Sequence, residues 1–358
     1  MISQNALKHA NKCRFCWMCR HLCPVQLQTG KEINTPRAKG LLLSMNQRGK
    51  AFGPDEAQAM YECLLCDACT NDCATGYQPP LFIREARTEA VVQGIAPAAV
   101  MKAIENFEES GNIYGEEKAV FEAEKEGDTL VYIGEVAAVK APEMARSLLS
   151  LLKKAGVKAT VLADEPASGA ALADLMGYTA EVQAQARKCA DAINASGAKT
   201  VVVLDSYDAE IMAQKYGEWG CELSSGLVTA TAFVAKLIED GLLTVKNANG
   251  ILAACHDDDR LARTFHEFEP IRAIAKAAGY ELTEMFNHGK LAKSCGSAVA
   301  LVYMPEITKK VAAGRWDDLL RTEASAMLTA NPESYICLAE SVPEGKVLVD
   351  LYSALDKE

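Results

Sequence analysis

Long apolar runs are missing from this 358-residue chain; none approaches the roughly 18 residues that a membrane-spanning helix needs. The opening stretch MISQNALKHANKC lacks the apolar centre of a signal peptide. Also missing are G-x-G-x-x-G, the Walker A sequence, H-E-x-x-H and G-x-S-x-G, so nucleotide or flavin binding and the common hydrolase sites have no support. Histidine is scarce, and His9, His21, His266 and His288 have no partners at metal-ligand spacing. Basic charge is short as well. With 37 Lys and Arg against 48 Asp and Glu, the net charge of −11 has the wrong sign for a phosphate backbone. A soluble protein with protein partners fits that balance.

Cysteine, by contrast, is plentiful: 13 in all, eight of them from Cys13 to Cys73. An odd total cannot pair off completely into disulfides, and a reducing cytoplasm with metal-bound thiolates is the expected setting. The eight form two runs, CRFCWMCRHLCP (Cys13, Cys16, Cys19, Cys23, then Pro24) and CLLCDACTNDC (Cys63, Cys66, Cys69, Cys73, then Ala74). Both have the spacing C-x2-C-x2-C-x3-C. Two-residue gaps let one tight loop present three thiolates to a cubane cluster, and the fourth thiolate must come from elsewhere. In paired sites of this spacing the fourth cysteine of each motif ligates the other motif's cluster. Two [4Fe–4S] clusters are therefore expected, one on Cys13, Cys16, Cys19 and Cys73, the other on Cys63, Cys66, Cys69 and Cys23. Structural zinc, which needs four ligands from two C-x2-C pairs, leaves the third and fourth cysteine of each motif without a reason. Phe15, Trp17 and Met18, between the ligands, are expected to shield the first cluster from water or to line a docking face.

Three regions follow along the chain. Residues 1–100 hold the cysteines together with helix-favouring stretches at 56–61 and 81–92, and 101–127 reads as a charged connector. From 128 onward short apolar strands (130–133, 159–162, 201–204) alternate with amphipathic helices (142–155, 179–195), which implies α/β units with parallel strands. Two copies of one unit are discernible, 128–243 and 244–358. LLKKAGVKATVL (151–162) recurs as AIAKAAGYELTEM (273–285), EPASGAAL (165–172) as KSCGSAVAL (293–301), and KTVVVLDSYD (199–208) as ESYICLAESV (333–342). A helix over 227–243 is expected to join them, and 335–338 is expected to be a strand.

INTPRAKGLLLSM (33–45) after the first motif, and SGNIYGEE (110–117) after the cysteine region, resemble elements of a known family. It comprises the iron–sulfur subunits of the glycolate-oxidase and anaerobic glycerol-3-phosphate dehydrogenase type and their heterodisulfide-reductase relatives. The resemblance implies a helical two-cluster ferredoxin-like domain followed by two α/β units of the Cys-Cys-Gly type. It also marks departures. HDDDRLAR (256–263) has Asp259 where the family has cysteine; SCG (294–296) keeps Cys295 but begins with Ser294; CLAE (337–340) keeps Cys337 but ends with Glu340. In the first copy Glu135, Ala167, Ser168, Asp205 and Asp208 hold the matching places. A carboxylate replaces thiolate poorly on iron–sulfur, so the family's substrate-reducing centre is expected to be lost. Cys255, Cys295 and Cys337, with Asp259 or His256, stand as candidates for a third metal site; small buried residues are the ordinary reading. Cys189 and Cys221 read as core, and the acidic run Asp257–Asp259 as a solvated loop.

The expected function is electron transfer, relaying single electrons between a flavoprotein dehydrogenase, of 2-hydroxy-acid type by the resemblance, and an acceptor such as a quinone, a ferredoxin or an electron-transfer flavoprotein. The alternatives are a heterodisulfide-reductase-like enzyme subunit with a residual C-terminal metal site, and a scaffold with structural clusters. No nucleic-acid partner is expected. The location is expected to be cytoplasmic, with peripheral membrane contact left open.

Overall fold

The computed structural model describes residues 2–357. The chain forms two compact units. The first comprises Met1–Gly115, Ala171–Val182 and Lys293–Arg315, and the second Glu116–Ala170, Gln183–Ala292 and Trp316–Glu358.

Helices Pro36–Gln47, Pro54–Tyr61 and Pro79–Val92 of the first unit each begin on proline. Its fixed φ suits the first helical position, and its missing N–H would have no partner there anyway. Thr35 caps the first of these, its hydroxyl accepting from the Ala38 N–H at 3.1 Å. Leu43, Met60, Tyr61, Phe82 and Ile83 are fully buried between them. The expected connector begins inside a further helix, Ala98–Ser110. Val100, Ala103, Ile104 and Phe107 make one buried stripe at helical spacing, and the charges that suggested a connector lie on its other faces.

The second unit contains two four-stranded sheets, all parallel. β1 (Thr129–Tyr132), β2 (Ala159–Thr160), β3 (Thr200–Val203) and β4 (Gly226–Thr229) stand in the order β2-β1-β3-β4. β5 (Leu252–Cys255), β6 (Glu281–Leu282), β7 (Ala326–Thr329) and β8 (Val347–Asp350) repeat it as β6-β5-β7-β8. Strands with helices between them must run parallel, and the central ones become buried on both faces. Val131, Val202, Ala253 and Leu328 accordingly lie in one apolar core with Leu148, Leu152 and Ile274 from the covering helices.

Two expected elements differ. Residues 335–338 lie in the helix Pro332–Ala339, and the strand in question is β7. Asn331 caps that helix, accepting from the Glu333 N–H at 2.8 Å, and Pro332 starts it, so the apolar run YICL packs as a helical face. The partner of 199–208 in the second copy is thus 325–334, with Asn331 at the place of Asp205. Likewise, 227–243 opens as β4, and the helix is Ala230–Glu239, capped by Thr229. Short apolar runs suit either state until the cap is recognised.

Gly134, at the end of β1, has φ +81° and ψ 155°, a region essentially reserved for glycine. A Cβ there would stand 2.1 Å from Asp208 Oδ2. Gly134→Ala should therefore destabilise the second unit by about 1–3 kcal/mol or more, read as a lowered midpoint in chemical denaturation. An unchanged midpoint would contradict the strain.

Candidate metal centre

Five non-glycine residues have positive φ among those described, and four lie inside the cysteine motifs: Phe15 (56°), Trp17 (68°), Leu65 (54°) and Asp67 (60°). They occupy equivalent places, so the two loops share one bend. Left-handed backbone costs about 1–3 kcal/mol per such residue. It turns the Phe15 N–H onto Cys13 Sγ and the Leu65 N–H onto Cys63 Sγ, both at 3.4 Å. Short helices, Met18–Leu22 and Ala68–Asn71, carry the third cysteines, Cys19 and Cys69.

Two cavities result. Cys13, Cys16, Cys19 and Cys73 line one, together with Cys69, Arg37 and Tyr77. Cys23, Cys63, Cys66 and Cys69 line the other, together with Lys39, Asn34 and Ile83. The first cavity thus gathers three cysteines of the first motif with Cys69 and Cys73 of the second, and the second cavity three of the second motif with Cys23 of the first.

Burial pushes the Cys19 and Cys23 thiols up to about 11. Burial and the neighbouring Cys63, Cys66 and Asp67 raise Cys69 well above the ordinary thiol value. Cys73 goes the other way. Burial opposes its ionisation, but the Thr75 hydroxyl, 3.3 Å from its sulfur, and the N–H groups of Tyr77, Thr75 and Gly76 prevail and lower its pKa. Cys19, Cys23 and Cys69 would therefore stay protonated without a bound cation to displace the proton. A donor set made of thiols suits an iron–sulfur cluster.

The surroundings of the two cavities differ in charge and exposure. At the first, Phe15, Trp17 and Met18 are 50%, 41% and 54% exposed. Arg37 stacks 3.8 Å from the centre of the Trp17 ring and 5.5 Å from that of Phe15, and pairs with Glu32 at 2.8 Å. The first 31 residues carry Lys8, Lys12, Arg14, Arg20 and Lys31 and no acid. At the second cavity the cations are buried. Arg87 donates to the carbonyls of Cys63 and Asp174, both at 2.6 Å, and to that of Met60 at 3.2 Å, fixing the chain where the second motif starts. Lys39 is 1% exposed. The sequence reading passed over both. The signal for Lys39 was its place among Pro36, Gly40 and Leu43, on the buried face of its helix.

Cys295 falls in the first unit, Cys255 and Cys337 in the second, and all three are buried. Cys255 ends β5, whereas Cys337 lies within the helix Pro332–Ala339. Among the described residues no group of three His, Cys, Asp or Glu side chains is placed to hold a single metal ion. Cys189 and Cys221 are buried, as expected of core residues.

Asp257, Asp258 and Asp259 are 2%, 5% and 5% exposed, so the solvated-loop reading is corrected. Asp257 takes a forked pair of bonds from Arg272 at 2.7 and 3.0 Å. Asp258 caps the helix Asp259–Arg263 and accepts from Ser334 at 2.9 Å. Asp259 lies 3.5 Å from Arg260, which also pairs with Glu333 at 3.1 Å and Glu210 at 3.2 Å. In the first copy the Ser168 hydroxyl donates to Asp208 at 2.5 Å. Asp205 accepts from the Tyr207 N–H at 3.0 Å, and its Oδ2 has no hydrogen-bond partner among the described residues. Burial, then the charge of Asp208, pushes the Asp205 pKa far above the carboxylate range; burial likewise raises Asp208, with Glu135 and Glu165 adding to it. A buried polar network thus occupies the carboxyl ends of the strands, where open parallel sheets ordinarily bind ligands.

Residues 9–77 match the 4Fe–4S dicluster domain family, a span that includes all eight N-terminal cysteines. Over 307 residues, 80% of its length, the chain is 22% identical to a probable membrane-anchored ferredoxin of Chromohalobacter salexigens, covering 46% of that protein. It is 22% identical over 300 residues, 78% of its length, to the EtfAB:quinone oxidoreductase of Syntrophomonas wolfei, covering 42% of it. The chain therefore spans less than half the length of these curated relatives. The matched domain supports iron–sulfur clusters within residues 9–77. No helix among the described residues is long and apolar enough to cross a membrane.

The acidic network sets a pH dependence. An ordinary aspartate has a pKa of about 3.9, and those of Asp205 and Asp208 are raised in the folded state. Between the two values the native state binds more protons than the unfolded one, so this pair's contribution to stability falls as pH rises. Asp205→Asn removes one of the charges and keeps the acceptor for Tyr207. Its melting temperature relative to wild type should be higher at pH 8 than at pH 5, and a difference independent of pH would contradict the buried pair.

Proposed function

We propose that residues 1–100 hold two [4Fe–4S] clusters, the first on Cys13, Cys16, Cys19 and Cys73 and the second on Cys63, Cys66, Cys69 and Cys23. The chain then relays single electrons between a flavoprotein dehydrogenase and a second acceptor, a quinone or an electron-transfer flavoprotein. The supporting observation is the membership of the two cavities: three cysteines of the first motif with Cys73 and Cys69 of the second in one, and three of the second motif with Cys23 of the first in the other. Bound clusters would take up and release one electron at a time. The protein's part is to hold them, exclude water from the second, and present the first to a partner. Cys16, Phe15, Trp17 and Met18 make the first cluster's edge the accessible one, and the basic residues around it suit an acidic partner face. The relatives' names, a membrane-anchored ferredoxin and an EtfAB:quinone oxidoreductase, favour a chain working at the membrane periphery beside electron-transfer flavoprotein and quinone.

On this reading the α/β units are a docking platform. The positions that hold a cluster in the resembling family carry Glu135, Ser168, Asp205 and Asp259 here, already engaged with serine, arginine or backbone N–H groups or held in a buried acidic pair. That arrangement disfavours the enzyme alternative.

Anaerobic analysis should give about eight irons and eight acid-labile sulfides per chain. Cys73→Ala should damage the cluster of Cys13, Cys16 and Cys19, and Cys23→Ala the other, as resolved by electron paramagnetic resonance. Stoichiometric zinc with little sulfide would overturn the cluster assignment. Damage confined to each mutated motif's own cluster would overturn the crossed ligation.

A further inference from the structure

Lys39 stands out among the basic side chains. It is 1% exposed, on the buried face of the helix Pro36–Gln47. Its Nζ makes one hydrogen bond among the described residues, to the Ile33 carbonyl at 3.3 Å. It lines the cavity of Cys23, Cys63, Cys66 and Cys69. Taking an ammonium out of water costs several kcal/mol unless an opposite charge compensates it, and a single carbonyl does not. Asp67 lines the same cavity and supplies one negative charge; an anion placed within the cavity would add compensation for the charge on Lys39.

A cubane held by four thiolates is such an anion, and reduction adds one more negative charge to it. A buried cation favours the more negative form, and water screens it little at this depth. At the first cavity the lining cations are Arg14, which is exposed, and Arg37, which is stacked on exposed rings and paired with Glu32. We propose that Lys39 is the charge that sets the second cluster's reduction potential above the first's, making the second cluster the electron reservoir of the pair. This rests on the ligand assignment given under Proposed function. The residue acts through the cluster's potential, as a tuning group that makes no bond to iron.

The test is a redox titration of the intact, cluster-loaded chain carrying Lys39→Met, Lys39→Gln or Lys39→Arg, followed by visible absorption and electron paramagnetic resonance. Loss of the charge should shift the second cluster's reduction equilibrium at least tenfold toward the oxidised form, a fall of about 59 mV for a one-electron couple. Lys39→Arg should stay near wild type, and the first cluster should move far less. If the neutral variants lose the second cluster while Lys39→Arg keeps it, the charge is needed to hold the anion, which also supports the proposal. Equal shifts at both clusters, no shift at the second, or equal loss in all three variants would overturn it. Iron content separates this from failure of the ligand assignment: a wild-type chain well short of about eight irons undermines the assignment, whereas full iron with an unmoved potential undermines only the role of Lys39.

Discussion

The turn that each cysteine motif makes through two left-handed residues is the constraint on which the first unit depends. Phe15 and Trp17 in one loop, and Leu65 and Asp67 in the other, hold a backbone that side chains ordinarily avoid. Local propensity cannot maintain four such residues, so the surroundings must. Arg87 binds the carbonyls leading into the second loop, and Tyr77 anchors the helix that follows the first by donating to the Pro36 carbonyl at 2.7 Å. The same strain aims N–H groups at sulfur, a contact that tunes cluster potential. Strain and function are thus two sides of one geometry.

Charge placement follows from that geometry. The first cavity lies beside exposed aromatics and basic residues; the second has the buried cations Lys39 and Arg87 close by. In the second unit carboxylates and arginines fill the strand ends where a parallel sheet would ordinarily receive a ligand. These groups satisfy much of one another's bonding.

Much of this was legible in the sequence because spacing alone carries it. Cysteine spacing marks both loops. Proline at helix starts and alternation of short apolar runs with amphipathic helices mark most elements. Burial that depends on distant partners was not legible. Asp257 reads as solvated until Arg272, fifteen positions on, comes to it. The run at 335–338 reads as a strand until Asn331 and Pro332 are recognised as a helix start. Lys39 looks like an ordinary surface lysine until its neighbours at Pro36 and Leu43 prove to face inward. The second copy's register slipped for a similar reason, since a strand of AMLT is less conspicuous than the helical run YICL beside it.

An anaerobic equilibrium titration that counts electrons tests the central claim most directly. If two clusters form a relay, the intact chain should take up about two electrons reversibly, in separate one-electron steps, and return them to an artificial acceptor without consuming any substrate of its own. A chain that binds iron and sulfide but cannot be reduced reversibly would carry clusters with a structural role only, and the relay account would fail.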